Sequence, residues 1–249
     1  MIKAVIFDLG FTLVGHKDFT IPKYLDLIDK GINNVINYLV EIGILKKENA
    51  RKFARKFKKI KYMAFDKSFD DLVEYSTEYC LTKTFEEFKI KDNDLVNKCA
   101  GIFHAIEAEF WAPFPNTKPT LEKLKAMGLK VALLSNGPYD KGIKKLLEIL
   151  ELKDYFDLIE TSANIGYTKP NPLTFNTILK KLNLKPEEVI MVGDDLLNDC
   201  KGASDVGLLC VKVKKDFNFP YEVGLKFKPD FTINDISEVP DIIKQINEI

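Results

Sequence analysis

Four short clusters hold the side chains of this 249-residue chain that are best suited to chemistry. The first is Asp8-Leu9-Gly10-Phe11-Thr12-Leu13, directly after an apolar run ending Val5-Ile6-Phe7. The others are Ser135-Asn136, Lys169-Pro170 and Gly193-Asp194-Asp195-Leu196-Leu197-Asn198-Asp199. Brought together, they would place two or three carboxylates, a hydroxyl and an ammonium group at one spot. Carboxylates so crowded repel one another unless a cation neutralises them. Mg²⁺ suits that role, because it takes a few carboxylate oxygens and keeps positions for water and a substrate phosphate. A carboxylate such as Asp8 could then attack an anionic phosphate as a nucleophile. Ser135, Lys169 and backbone N–H groups after Asp8 would supply donors for charge on the transferring group. Thr12 would hold the loop or add a hydroxyl contact. Each cluster alone has a plain structural reading: aspartate is a common turn and cap residue, and most lysines are solvated. Their joint occurrence is what points to phosphoryl transfer.

The elements that must position these residues follow from periodicity. Ile2 to Phe7 reads as a short buried strand. A long helical region follows, roughly from Pro22 to Trp111. Its apolar residues recur at three and four spacing, as in Tyr24, Leu25, Ile28, Ile32, Val35, Ile36 and Leu39. Tyr62, Phe65, Phe69, Tyr75 and Tyr79 are expected to fill its packed interior. After Pro113 the pattern alternates. Thr117 is expected to cap a helix running to Met127, with Gly128 as its stop. Strands are expected at Lys130–Leu134, near Phe156 to Ile159, at Val189–Val192 and at Leu208–Val213, with an edge strand at Asp230–Ile233. Helices are expected at about 140 to 150, from Pro172 to near Leu182, after Leu196, and from Asp235 onward.

Such alternation implies an α/β fold: a doubly wound parallel sheet with helices on both faces, interrupted after the Asp8 loop by an all-helical insertion. In such sheets ligands bind at the carboxyl ends of the strands. Asp8, Ser135 and Asp194 each follow an expected strand, and Lys169 lies in a loop before a helix.

Composition narrows the partners. The 37 basic and 37 acidic residues balance, so no strong field favours nucleic acid or an anionic membrane. Only Arg51 and Arg55 are arginine, which leaves lysine to supply positive charge. The cysteines (Cys80, Cys99, Cys200, Cys210) show no close-paired spacing, and no signal peptide is evident. Reduced thiols in a cytoplasm are therefore expected. No apolar stretch reaches membrane-spanning length.

The four clusters, in this order, resemble the haloacid dehalogenase superfamily of aspartate-nucleophile hydrolases, and the resemblance covers the whole chain. It implies a Rossmann-like core of residues 1–17 and 113–249, with a helical cap at 18–112 that closes over the substrate and selects it. It implies that Asp8 is the nucleophile and forms an aspartyl-phosphate. Mg²⁺ would be held by Asp8, the Gly10 carbonyl, Asp194 and Asp199. Thr12, Ser135, Asn136 and Lys169 would contact the substrate, with Lys169 also stabilising charge during catalysis. Asp195 would either assist or be a solvated neighbour. The expected activity is a Mg²⁺-dependent phosphatase of small phosphorylated metabolites, such as a sugar phosphate or the triose phosphate glyceraldehyde 3-phosphate.

The chain departs from that pattern at Gly10, where most phosphatases of the family carry a second aspartate as general acid and base. Such a group is worth about 10²–10⁴ in rate. Several readings follow: a slow phosphatase needing good leaving groups, His16 as a substitute, or a phosphonatase-like enzyme using a cap lysine such as Lys56, Lys58 or Lys61. A phosphate- or partner-binding module with negligible turnover also stands. A haloacid dehalogenase would use a cap arginine and would lack the Asp194/Asp199 pair retained here.

Overall fold

The computed structural model describes residues 1–16, 20–215, 217 and 219–248. The chain opens with β1 (Ala4–Phe7) and β2 (Val14–His16). Helices α1 (Ile21–Glu41), α2 (Ala50–Asp71), α3 (Thr77–Glu87) and α4 (Asn93–His104) follow. Next come β3 (Trp111–Pro113), α5 (Thr117–Ala126), β4 (Lys130–Ser135), α6 (Asp140–Ile149) and β5 (Leu158–Thr161). They lead to α7 (Ser162–Ile165), α8 (Pro172–Leu182), β6 (Val189–Gly193) and α9 (Gly202–Asp205). The chain closes with β7 (Leu209–Val213), β8 (Phe231–Ile233) and α10 (Val239–Asn247).

Six strands form one parallel sheet in the order β5-β4-β1-β6-β7-β8. The central strands are continuous apolar runs because both faces of the sheet are covered. Alternate residues serve the two sides. Val5, Phe7, Val131, Leu133, Ile190 and Val192 join one core cluster with Leu121, Leu147 and Ile243. Ala4, Ile6, Ala132, Leu134, Val189 and Met191 face the other, with Phe175 and Ile178 of α8. Register levels the strand ends: Phe7 lies opposite Leu133 on β4 and Val192 on β6. The chain first extends the sheet through β4 and β5, then crosses to the other side of β1 for β6, β7 and β8. A crevice therefore opens at the carboxyl end of β1, where the strand order reverses.

The helical block leaves and rejoins the core through an antiparallel ribbon, with Val14 opposite Pro113 and His16 opposite Trp111. Trp111 thus belongs to a strand, not to the end of a helical region. The block has its own core around Phe53, Phe57, Phe85 and Phe103. On α2 the buried residues are Phe53, Phe57 and Ala64. Tyr62, Phe65 and Phe69 fall on another face of that helix and are exposed, as is Tyr79, so they do not fill the interior as expected. Tyr75 alone of the five packs against this core, partly buried. The expected boundary at residues 17 and 18 lies outside the described residues.

Local chemistry corrects two further expectations and refines the helix expected after Leu196. Thr117 does not cap α5: it is the first helical residue, and its hydroxyl donates to the Leu13 carbonyl at 2.6 Å, tying α5 to the Asp8 loop. The segment after Leu196 is a π-helical turn (Leu196–Lys201) before the short α9. Cys200 in that turn and Cys210 on β7 come within 5.1 Å between Cα atoms and form a disulfide, while Cys80 and Cys99 are free. Among the described residues, no helix is long and apolar enough to cross a membrane.

Phe57 is fully buried, whereas Phe65 is 61 % exposed on the same helix. Phe57→Ala should destabilise the protein by about 3–5 kcal/mol in urea denaturation, and Phe65→Ala by less than about 1 kcal/mol.

Candidate active site

The loop after β1 carries Asp8, whose backbone N–H donates to the Val192 carbonyl of β6 at 3.0 Å. Ser135 ends β4 and is buried. Asp194 directly follows β6, and Asp199 lies in the π-helical turn. Lys169 sits before α8 and is 2 % exposed. Asn136 fixes it there: its side-chain oxygen accepts from the Lys169 N–H at 2.8 Å, and its amide donates to the Lys169 carbonyl at 3.0 Å. Both ends of the Asn136 side chain thus hold the Lys169 backbone.

Lys169 Nζ donates to Asp8 Oδ1 at 2.7 Å, to Asp199 Oδ1 at 2.6 Å and to the Leu134 carbonyl at 2.8 Å. Burial alone would lower its pKa, but the charges of Asp199 and Asp8 outweigh that and hold it above the usual lysine range. Asp8, Asp194 and Asp199 each offer an oxygen within 4.8 Å of the others. Burial, then the Asp8 charge, pushes Asp194 up to about 6. Burial also raises Asp199 well above the usual carboxylate range.

Gly193 lets the turn come close. A Cβ there would overlap the Asp199 carboxylate, so only glycine allows Asp199 to fold back against the end of β6. Asp199 Oδ2 then accepts from the Asp195 N–H at 3.0 Å. Thr12 donates to Asp194 Oδ1 at 3.2 Å. Asp195 has a structural task. Its carboxylate caps the π-helical turn, accepting from Leu197 N–H at 2.9 Å and Asn198 N–H at 2.8 Å, and from the Tyr221 hydroxyl at 2.6 Å. It is buried rather than solvated.

Trp111 lies beside Gly10 at ordinary contact distance. A Cβ at this position would lie 3.6 Å from Cη2 of Trp111. His16 stacks on Phe110, with centroids 5.2 Å apart, and meets Trp111 edge-on. Arg51 and Arg55 are both exposed on α2.

Sequence reasoning missed a second set of cations. Lys215 donates to Asp194 Oδ2 at 2.8 Å. Lys212 bonds the Asp194 carbonyl; burial, then the Lys215 charge, lowers its pKa. Buried Glu222 lies near both lysines and accepts from the Leu196 and Phe219 N–H groups, each at 2.7 Å. The available signal was position: Lys212 is in β7, and Lys215 is two residues beyond its carboxyl end.

A sequence profile described as haloacid dehalogenase-like hydrolase matches residues 2–207. A glyceraldehyde 3-phosphate phosphatase of Methanocaldococcus jannaschii is 29 % identical over all of both chains. Another, from Methanothermobacter thermautotrophicus, is 30 % identical over 98 % of this chain and 100 % of its own. A 2-haloacid dehalogenase structure from Pseudomonas syringae superposes with a TM-score of 0.69, covering 99 % of this chain and 100 % of the other at 23 % identity.

Two outcomes test this geometry. Gly193→Ala should retain the fold by circular dichroism but lower stability by about 1–3 kcal/mol in urea denaturation, because the added methyl displaces Asp199. Between the ordinary carboxylate range and about pH 6, the folded protein keeps a proton on Asp194 that the unfolded chain releases. Stability of the metal-free protein should therefore fall as pH rises through that window. Urea denaturation should show a shallower fall for Asp194→Asn.

Proposed function

This chain belongs to the haloacid dehalogenase-like hydrolases, and we propose that it is a Mg²⁺-dependent phosphatase of small phosphorylated metabolites, with glyceraldehyde 3-phosphate the first candidate. The observation that carries this reading is the buried carboxylate triad, two of whose members share the Lys169 ammonium at the crevice of the sheet. The donor set fits the ion. Three carboxylates outnumber the two ammonium groups that touch them, Lys169 and Lys215, so the cluster keeps an excess negative charge and presents hard oxygen ligands. Asp8, Asp194, Asp199 and the Gly10 carbonyl would hold Mg²⁺, which when bound screens the carboxylates and polarises the phosphate.

The chain's own residues then divide the work. Asp8 attacks phosphorus and expels the alcohol, giving an aspartyl-phosphate; water attacks that phosphorus, releasing phosphate and restoring Asp8. Ser135 binds a phosphate oxygen, Lys169 offsets the charge of Asp8 as the phosphate approaches, and Asn136 keeps Lys169 in place. Thr12 orients Asp194. The helical block, which we take as a cap over residues 18–112, chooses the organic part. The two full-length relatives named for glyceraldehyde 3-phosphate support a triose.

Gly10 provides no proton for the departing alkoxide. Turnover should therefore depend steeply on the leaving group. p-Nitrophenyl phosphate should be hydrolysed with Mg²⁺ and not with EDTA, and Asp8→Asn should abolish the reaction. Alkyl phosphates should turn over about 10²–10⁴ more slowly than in a homologue with aspartate at this position. Mg²⁺-independent turnover, or activity surviving Asp8→Asn, would refute the mechanism.

A further inference from the structure

Every carboxylate oxygen of Asp194 and Asp199 already has a partner. Asp199 is bonded by Lys169 and the Asp195 N–H, and Asp194 by Thr12 and Lys215. Each oxygen keeps a further lone pair, but a cation bound there stands beside an ammonium group, and like charges repel. Lys169 is locked by three acceptors and by Asn136. Lys215 is held differently. Its side chain is 5 % exposed and belongs to the stretch after β7, with Nζ 3.8 Å from the Phe219 ring centroid and 5.0 Å from that of Phe217. It also has a second carboxylate within reach, Glu222 Oε2 at 3.6 Å. A movement of about 1 Å would convert that contact into a hydrogen bond, without leaving the aromatic surface that favours a cation.

We propose that Lys215 is a resident competitor for Asp194. It neutralises the carboxylate in the metal-free protein, transfers to Glu222 when Mg²⁺ is bound, and thereby sets the Mg²⁺ affinity of the centre. Lys215 is a positioning residue, acting on the reaction only through Asp194. The surrounding contacts suit such a transfer. Phe217 packs edge-on against Phe11 of the Asp8 loop at 5.0 Å, and Tyr221 packs on Phe69 of α2 at 5.3 Å, while the Lys215 ammonium has two carboxylates within reach. Glu222 is fixed in turn by the Leu196 and Phe219 N–H groups, a preformed second seat.

This inference rests on the Mg²⁺ reading above. The test is calorimetric titration of Mg²⁺ into EDTA-stripped, dialysed full-length protein, for the native chain, Lys215→Met and Glu222→Gln. Lys215→Met should lower the Mg²⁺ Kd by about 10–100-fold, the size of effect carried by groups that contact metal ligands. It should also lower Tm in EDTA, with the gap closing at saturating Mg²⁺. Glu222→Gln should shift Kd the other way by several-fold, since Lys215 loses its alternative seat. That variant decides the matter if Lys215→Met does not fold. An unchanged or weaker Mg²⁺ affinity in Lys215→Met, or an unchanged or tighter one in Glu222→Gln, overturns the proposal and leaves the phosphatase reading intact. Failure of all three proteins to take up Mg²⁺ overturns both.

Discussion

Three carboxylates cannot share a buried site unless something offsets their mutual repulsion, and here the Lys169 ammonium does much of that. It is itself nearly inaccessible to water, a location tolerable only because Asp8, Asp199 and the Leu134 carbonyl surround it. Each group makes the burial of the others feasible. The arrangement depends on register: β1, β4 and β6 must end level for residues 8, 134 and 194 to face one another. Sheet packing and reaction geometry are therefore one constraint. A slip in strand pairing would not merely loosen the core but would strand a buried charge.

The features around that group serve to keep it in place. Asn136 clamps the Lys169 backbone, Gly193 admits Asp199, and Asp195 caps the turn that carries it. The helical insertion has a hydrophobic core of its own, joins the sheet through a paired ribbon, and packs on the core through contacts such as Phe69 on Tyr221.

Much of the centre was legible in the sequence because strand ends are easy to recognise. Continuous apolar runs followed by Asp8, Ser135 and Asp194 required little more than the rule that parallel sheets bind ligands at their carboxyl ends. What stayed hidden depended on contacts between distant segments. Thr117 looked like a cap by type and position, yet its hydroxyl serves the Leu13 carbonyl 104 residues away. The α2 aromatics matched helical spacing, but periodicity does not say which stripe faces inward, and Phe53 and Phe57 took the core instead of Phe65 and Phe69. Lys215 lies among several lysines with nothing local to mark it. The cysteine pair was likewise invisible, since Cys200 and Cys210 approach only because the π-helical turn packs beside β7.

Trp111 is the only tryptophan in the chain, and its indole lies against the backbone of Gly10, two residues from Asp8. The protein thus carries a natural optical label beside the Asp8 loop. Its emission will sense changes in charge, hydration or ring packing at this spot, with no background from a second indole elsewhere. Because the same residue sits in the ribbon joining core to helical block, one signal reports on both the Asp8 loop and that ribbon. Individual steps of a catalytic cycle could then be timed in the unlabelled protein by rapid mixing.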